Sequence, residues 1–378
     1  MESQIINYIK SIETGEKPFW QNYFDDLKIT FKQKNDLAIF NYNIDSNFYN
    51  PIVQEARGII IDTKNWKVVC WPFRKFANVY EPYADSIDWT NCRVEDKIDG
   101  SLIKLFFYLG QWNWSTNSCI SASEASVSGT NKKTFLDLIK MAINYHNIPF
   151  DTLNKHYTYI FELVSPLNQI VIRYPTTKLY HIGTRSNITG EEVRTYIGIE
   201  QPQTYDIHSL KDCMEAANHL NINTDGVKKE GFVVVDKDWN RIKIKSPLYL
   251  AFHHTWANGR VNKEKLIKSI ITVKKHGETA IDLCNELPRL NVEIKYYDFK
   301  LSELERNIQI FIDYVRGLYE EYNHDRKAVA IQIKDNKYKV FGFAAIGNEL
   351  TANDLLNKIT IEKACKFIPD YEKEDILK

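Results

Sequence analysis

Up to about Tyr249, apolar and polar residues fall mostly into short β-branched and aromatic runs, punctuated by Gly, Asn and Asp. Such runs predict strands. They are Ile29 to Lys32, Leu37 to Tyr42, Gly58 to Asp62, a stretch around Val94, Leu102 to Tyr108, Tyr157 to Val164, Gly231 to Val235 and Arg241 to Lys245. Two helical patterns interrupt them. Lys133 to Tyr145 carries Phe135, Leu138, Ile139, Ala142 and Ile143 on one face, and Leu210 to Leu220 follows Ser209, a residue suited to capping it. Strands and helices mix without strict βαβ alternation, which predicts an α+β fold with a mostly antiparallel sheet domain. From about Lys263 the period changes: Leu304, Ile308, Phe311, Ile312, Val315 and Leu318 recur at helical spacing within Leu301 to Tyr322. The expected organisation is a first domain over 1–250 and a smaller helical domain over 251–378. Ala328 to Ala345 alternates like a hairpin around Asp335-Asn336, with a helix pair as the other reading.

The chain has 378 residues, enough for two domains with a substantial core. Its 49 basic and 49 acidic residues cancel, so any binding of nucleic acid rests on a local basic patch. Six scattered cysteines, Cys70, Cys92, Cys119, Cys213, Cys284 and Cys365, lack the paired spacing of a zinc site or a disulfide framework. The first residues lack the apolar core of a signal peptide, and no run of eighteen apolar residues occurs. A reducing, cytoplasmic location without membrane insertion is the expectation.

The chemistry centres on Lys97-Ile98-Asp99-Gly100-Ser101, which sets a lysine on a tight turn between two strands. An amine so presented is a nucleophile once it is neutral, and nearby positive charge and desolvation both favour that state. Lys243 and Lys245 alternate with Ile242 and Ile244, so both amines share one strand face and can grip a phosphate. A half-exposed strand with solvated lysines gives the same pattern. Glu162 and Glu230 are lone carboxylates at or in apolar strands, costly to bury without a hydroxyl, cation or metal partner. Arg57 and Lys75 precede the lysine turn, each beside an apolar run.

Together these residues resemble the covalent nucleotidyltransferases, and specifically the phage-type RNA ligase 1 family. Lys97 to Leu102 is similar to the nucleotidyl-lysine motif, Phe161-Glu162 with Val164-Ser165-Pro166 to the third motif, Glu230-Gly231 to the fourth, and Lys243-Ile244-Lys245 with Ser246 and Tyr249 to the fifth. Glu55 to Gly58 and Lys75 to Asn78 look like the family's N-terminal elements, which contact nucleotide phosphates. Asp325-Arg326-Lys327, Phe341-Gly342 and Phe367-Ile368-Pro369 extend a weaker likeness into the tail. Two positions depart from the pattern. Ser115 and Asn117 stand where basic residues are expected, and Thr272 is followed by Val273-Lys274-Lys275 rather than by the adjacent acidic pair that the resemblance implies in the C-terminal domain. Leu102 stands where DNA ligases and capping guanylyltransferases usually have arginine, and those families tend to carry an OB-fold where this tail reads as helical.

The resemblance implies an ATP-dependent RNA ligase that joins 5′-phosphate and 3′-hydroxyl ends. Lys97 attacks the α-phosphate of ATP, AMP passes from the lysine to the RNA 5′-phosphate, and the 3′-hydroxyl displaces AMP. It implies catalytic roles for Lys97, Asp99, Lys243 and Lys245. Nucleotide contacts fall to Arg57, Lys75, Gly100, Glu162, Glu230 and Tyr249, with Glu230 also on Mg²⁺ or Mn²⁺. The implied partners are RNA, including tRNA, and a separate end-healing kinase-phosphatase. Tyr314, Arg316, Tyr319, Arg326 and Lys327 are candidate RNA contacts. A capping guanylyltransferase and a non-catalytic RNA-end-binding protein are the alternative readings.

Overall fold

A computed structural model describes residues 2–13, 23–127, 130, 132–143, 148–220, 228–256, 262–275, 279–286, 290–346, 350–352 and 365–371. Contacts divide the chain into two compact units, Met1–Ser246 and Pro247–Lys378. The fold is α+β, with three sheets in the first unit and helices in the second. No helix among the described residues is long and apolar enough to cross a membrane.

The first unit opens with α1 (Gln4–Glu13) and a four-stranded sheet, β1 (Ile29–Lys34), β2 (Leu37–Tyr42), β3 (Arg57–Asp62) and β4 (Lys67–Cys70), all antiparallel in chain order. Pro51–Glu55 forms α2, capped by Asn50, whose side chain accepts the Ile52 N–H. After β5 (Ala77–Asn78) and β6 (Cys92–Asp96), the chain passes through the lysine turn into β7 (Ser101–Tyr108), β8 (Gln111–Thr116), β9 (Tyr157–Val164), β10 (Lys178–Ser186) and β11 (Glu192–Val193). These last five form an antiparallel sheet ordered β11-β10-β9-β7-β8. Its apolar core is covered by α3 (Phe135–Ile143), which buries Leu138, Ile139 and Ala142 as the helical spacing predicts. The end of the predicted segment, 144–145, lies outside the described residues.

The third sheet is ordered β12-β6-β13-β14-β5, with β12 (Thr204–Tyr205), β13 (Gly231–Asp236) and β14 (Arg241–Lys245). Only its β14–β5 pairing is parallel. On β14 the predicted alternation holds. Ile242 and Ile244 enter a core with Cys213 and Ala217 of α4 (Leu210–His219), leaving Lys243 and Lys245 on the opposite face. The predicted cap of α4 is present, Ser209 Oγ accepting the Asp212 N–H at 3.1 Å.

The lysine turn therefore joins the second sheet to the third. β6 belongs to one and β7 to the other, so residues 97–100 cross between them.

The second unit contains α5 (Pro247–Trp256), α6 (Lys263–Lys275), α7 (Ala280–Glu286), α8 (Asn291–Glu321), α9 (Arg326–Ile333) and α10 (Lys339–Ala345). Leu304, Ile308, Phe311, Ile312, Val315 and Leu318 of α8 are all buried. The hairpin expected over Ala328 to Ala345 is corrected to a helix pair, α9 and α10. Alternation misleads there because Val329 and Ile333 are buried at helical spacing while Ile331 between them is 65% exposed. The helical start is fixed by Asp325, which accepts the N–H groups of Lys327 and Ala328.

Candidate active site

Lys97 is held by both its backbone and its side chain. Its N–H donates to Gly231 O at 2.9 Å, continuing the β6–β13 ladder, and its Nζ reaches Glu230 Oε2 at 2.8 Å. The other Glu230 oxygen, Oε1, takes Lys245 Nζ at 2.8 Å. One carboxylate, 2% exposed, thus bridges the lysine of the turn and a lysine of β14. Burial alone would push the Glu230 carboxyl up, but the charges and hydrogen bonds of Lys97 and Lys245 outweigh it and hold the group below its ordinary range.

Two glycines permit this approach. A Cβ on Gly231, whose φ is +150°, would stand 2.1 Å from Ile244 O and 2.7 Å from Lys245 Cα. On Gly100 it would stand 2.5 Å from Leu163 O and 3.0 Å from Glu162 Cγ. Both glycines are needed for close backbone approach.

The second oxygen of Asp99, Oδ2, accepts the N–H groups of Val171 and Ile172 at 2.8 and 2.7 Å. The Asp99 N–H donates to the Tyr174 hydroxyl at 3.3 Å, and Asn168 Nδ2 donates to Ser101 Oγ at 2.9 Å. The loop between β9 and β10 therefore clasps the lysine turn on both sides. Asn168 and Tyr174 were not recognised from sequence. The local signal is only a polar residue and a tyrosine in a loop, and their partners lie 67 and 75 residues away.

Lys97, Lys243, Lys245, Arg57 and Glu162 line one cavity of about 190 Å³, whose walls include Ile98, Ile182 and Val233. Every residue lining it belongs to the first unit. Tyr249 belongs to the second unit, where it is 2% exposed. Phe76 offers its ring to two of the cations, its centroid 5.4 Å from Arg57 Cζ and 5.1 Å from Lys243 Nζ. Lys75 sits among the rings of Phe48, Tyr42 and Tyr83 at 5.0 to 5.8 Å. Arg57 Nη1 is buried without a hydrogen-bond partner, a donor that suits an anionic oxygen.

The cations perturb one another. Burial, then the charges of Lys75, Arg57, Lys97 and Lys245, push Lys243 down to about 7. Lys75 is likewise lowered, first by burial and then by Arg57 and Lys245, with Glu81 opposing. Burial pushes Glu162 up to about 7, with Glu230 and Asp99 adding to it and Lys97 and Arg57 opposing. These are the strongly shifted, charge-coupled groups that mark functional clefts.

A cation does stand beside the unusual Ser115, on the neighbouring strand. Lys104 of β7 pairs with Ser115 in register, is fully buried, and donates to Gly58 O next to Arg57. Burial, together with Arg57, brings its pKa down to about 8 despite the nearby Cys70. Sequence reading missed it because β7 is buried on both faces and shows no alternation.

Among the described residues no group of three or more His, Cys, Asp or Glu side chains could by itself hold a metal ion. Glu162 in the cavity and Glu230 beside it nevertheless fit a Mg²⁺-type ion carried by phosphates, which needs only one or two protein carboxylates.

Comparison with known proteins agrees with the motif pattern. Residues 55–249, just over half of the chain, match the family described as RNA ligase. A protein of Autographa californica nuclear polyhedrosis virus, named as a bifunctional polynucleotide kinase/RNA ligase, is 31% identical over 305 residues, covering 73% of this chain and 41% of that protein. The chain thus spans less than half the length of that relative. The RNA ligase of Rhodothermus phage RM378 is 24% identical over 378 residues, covering 81% of this chain and 80% of that protein. A solved archaeal ATP-dependent RNA ligase superposes with a TM-score of 0.47 at 12% identity, covering 75% of this chain and 78% of that one. By its matched family and these relatives, the chain belongs to the phage-type RNA ligase 1 family of RNA ligases.

Proposed function

We propose that this family member is an ATP-dependent RNA ligase working through a lysine-AMP intermediate. The observation that carries the reading is the convergence of Lys97, Lys243, Lys245, Arg57 and Glu162 on one cavity. Lys97 gives up a proton to solvent and its Nζ attacks the α-phosphorus of ATP, forming a P–N bond as the bond to pyrophosphate breaks. Lys243, Lys245 and Arg57 offset the charge that develops on the phosphates, and the orphaned Arg57 Nη1 gains an oxygen partner. Glu162 accepts hydroxyl hydrogen bonds from the ribose. Asp99 holds the turn in place, because its carboxylate is engaged by the loop between β9 and β10.

In the second step an oxygen of the RNA 5′-phosphate attacks the adduct, and Lys97 leaves after regaining a proton. In the third, a 3′-hydroxyl loses its proton to solvent as its oxygen bonds to the RNA 5′-phosphorus, and the phosphoanhydride bond to AMP breaks. Glu230 would hold a Mg²⁺ or Mn²⁺ ion carried in with the phosphates, and that ion would supply charge neutralisation there.

The helical second unit, assigned to 251–378 from the sequence, is proposed to select the RNA, with tRNA as a substrate class. Of the candidate contacts there, Tyr314 is 54% exposed. Arg316 and Arg326 are partly engaged with the carbonyls of Leu350 and Ile346. A kinase-phosphatase that makes 5′-phosphate and 3′-hydroxyl ends is the proposed partner. The baculovirus relative's name, which joins polynucleotide kinase to RNA ligase, supports it.

The test is incubation with α-labelled ATP or GTP and Mg²⁺, followed by a denaturing gel, for wild type and Lys97→Ala. Label from ATP that disappears in the variant is expected. Preferential label from GTP would favour a capping reaction, and no label on protein freed of bound AMP would favour RNA-end binding without catalysis.

A further inference from the structure

Glu95, Ile182 and Pro202 line the lysine cavity and also a second cavity of about 420 Å³. That size suits a small-molecule site. Its wall is aromatic and cationic. Arg93 Cζ stands 5.5 Å from the Trp239 ring centroid while Arg93 Nε donates to Glu95 Oε1 at 2.7 Å. Arg194 lies near enough to Arg93 that, after burial, the second guanidinium is the main influence lowering its pKa. Its lining residues His181 and Thr195 are polar and neutral and meet through Thr184 Oγ1, which lies 2.9 Å from His181 Nε2 and 2.6 Å from Thr195 Oγ1. Burial pushes the His181 imidazole down to about 4, so it carries no charge at pH 7.

Charge orients a nucleotide in the first cavity. On the ATP-dependent reading, its phosphates would go to Lys97, Lys243, Lys245 and Arg57, which would leave its base to the apolar surfaces of Ile98, Ile182 and Val233 that line the same cavity. At the border stands Glu95, whose carboxylate only accepts hydrogen bonds and therefore meets the donor edge of adenine, the exocyclic amine. A group attached to that amine projects into the second cavity.

We infer that the nucleotide site continues past the base into this second cavity and takes adenosine triphosphates bearing an aromatic substituent on the exocyclic amine. The inference rests on the ATP-dependent reading given above. An aromatic substituent finds the Trp239 ring and the Arg93 and Arg194 guanidiniums as stacking and cation–π partners. The 6-oxo edge of guanine instead places an acceptor against Glu95.

The experiment is intact-mass detection of the protein adduct formed with ATP and with N6-benzyl-ATP, for wild type and Thr204→Trp. Thr204 is an exposed residue of β12 that lines only the second cavity, so tryptophan there fills space the unsubstituted nucleotide does not use. Wild type is expected to form the benzyl-AMP adduct within about fivefold of its rate with ATP. The variant is expected to slow the analogue by about tenfold or more while retaining its rate with ATP, as steric pocket discrimination allows. An ATP adduct without a benzyl adduct in wild type overturns the inference, as does an equal effect of the variant on both nucleotides. Absence of both adducts instead refutes the underlying ATP reading.

Discussion

Replacing Glu230 by glutamine removes the shared counter-charge of Lys97 and Lys245 while keeping the side chain's volume. Each ion pair is 2.8 Å long, the carboxylate is 2% exposed, and the lysine side chains are 22% and 19% exposed. At an effective dielectric of about 20, each pair is worth roughly 6 kcal/mol in gross Coulomb energy. Desolvation of the carboxylate offsets much of that, and removing one partner of a buried pair costs about 3–5 kcal/mol. Both lysines retain some access to water and glutamine still offers one oxygen, so the net loss falls at the lower end, about 3 kcal/mol. Over a unit of this size that is a fall of roughly 6–12 °C in melting temperature at pH 7.5.

The pH dependence identifies the cause. Because the folded-state pKa of Glu230 is depressed, its contribution is present above the ordinary carboxylate range and is lost as pH falls through the folded value. The gap between wild type and Glu230→Gln should therefore hold from pH 8 to about 5 and narrow below that. Tryptophan fluorescence melts in nucleotide-free buffers measure it. Pyrophosphate should raise the variant's melting temperature more than the wild type's, since the variant has lost the anion that bridges Lys97 and Lys245. Equal melting temperatures at pH 7.5, or a gap unchanged by acid, would refute the ion-pair account.

Other substitutions probe the remaining contacts. Gly231→Ala should cost about 3 kcal/mol in urea unfolding and abolish the adduct, because its Cβ would overlap the backbone of Ile244 and Lys245. Tyr174→Phe removes the hydroxyl that accepts the Asp99 N–H; adduct formation should slow about tenfold with the KM for ATP unchanged, and an altered KM alone would contradict the positioning role. For Glu162, whose folded pKa is raised to about 7, the folded state binds the extra proton between the ordinary carboxylate value and 7. Stability is therefore lost as pH rises through that window. Glu162→Gln should match wild type near pH 4.5 and exceed it above pH 7, by on the order of 3 kcal/mol, in urea titrations at each pH.

The sequence revealed what depends on local period and missed what depends on distant partners. Lys243 and Lys245 could be assigned to one face because a strand buried on one side alternates. Lys104 could not, because five consecutive residues of β7 are buried and the strand has no polar face to mark it. The helix pair α9 and α10 was obscured by apolar residues at every second position, a spacing that only the exposure of Ile331 resolves. Glu162 and Glu230 were recognisable as misplaced carboxylates, but the bridging of Lys97 and Lys245 by Glu230 depends on the pairing of β6, β13 and β14. Likewise, the partners of Asp99 at Val171 and Ile172 come from a loop more than seventy residues downstream.

The bridge also bears on how Lys97, the proposed nucleophile, is handled. A lysine presented to a cleft of like charges gains nucleophilic character but destabilises the empty fold, and Glu230 answers both demands differently before and after substrate binds. In the nucleotide-free protein it neutralises Lys97 and Lys245 together. When triphosphate enters, the phosphate oxygens compete for the same ammonium groups, and Lys243, already lowered to about 7, can take up a proton beside them at little cost. The anion that stabilises the resting site and the anion that reacts in it thus occupy interchangeable positions. That exchange predicts a concrete coupling: ATP binding should raise the proton occupancy of the site near pH 7.5, with net proton uptake in calorimetry repeated in buffers of different ionisation enthalpy. Uptake that persists in Lys97→Ala but shrinks in Lys243→Met would assign it to Lys243; no uptake in wild type would show that the depressed lysine is already charged before the nucleotide arrives.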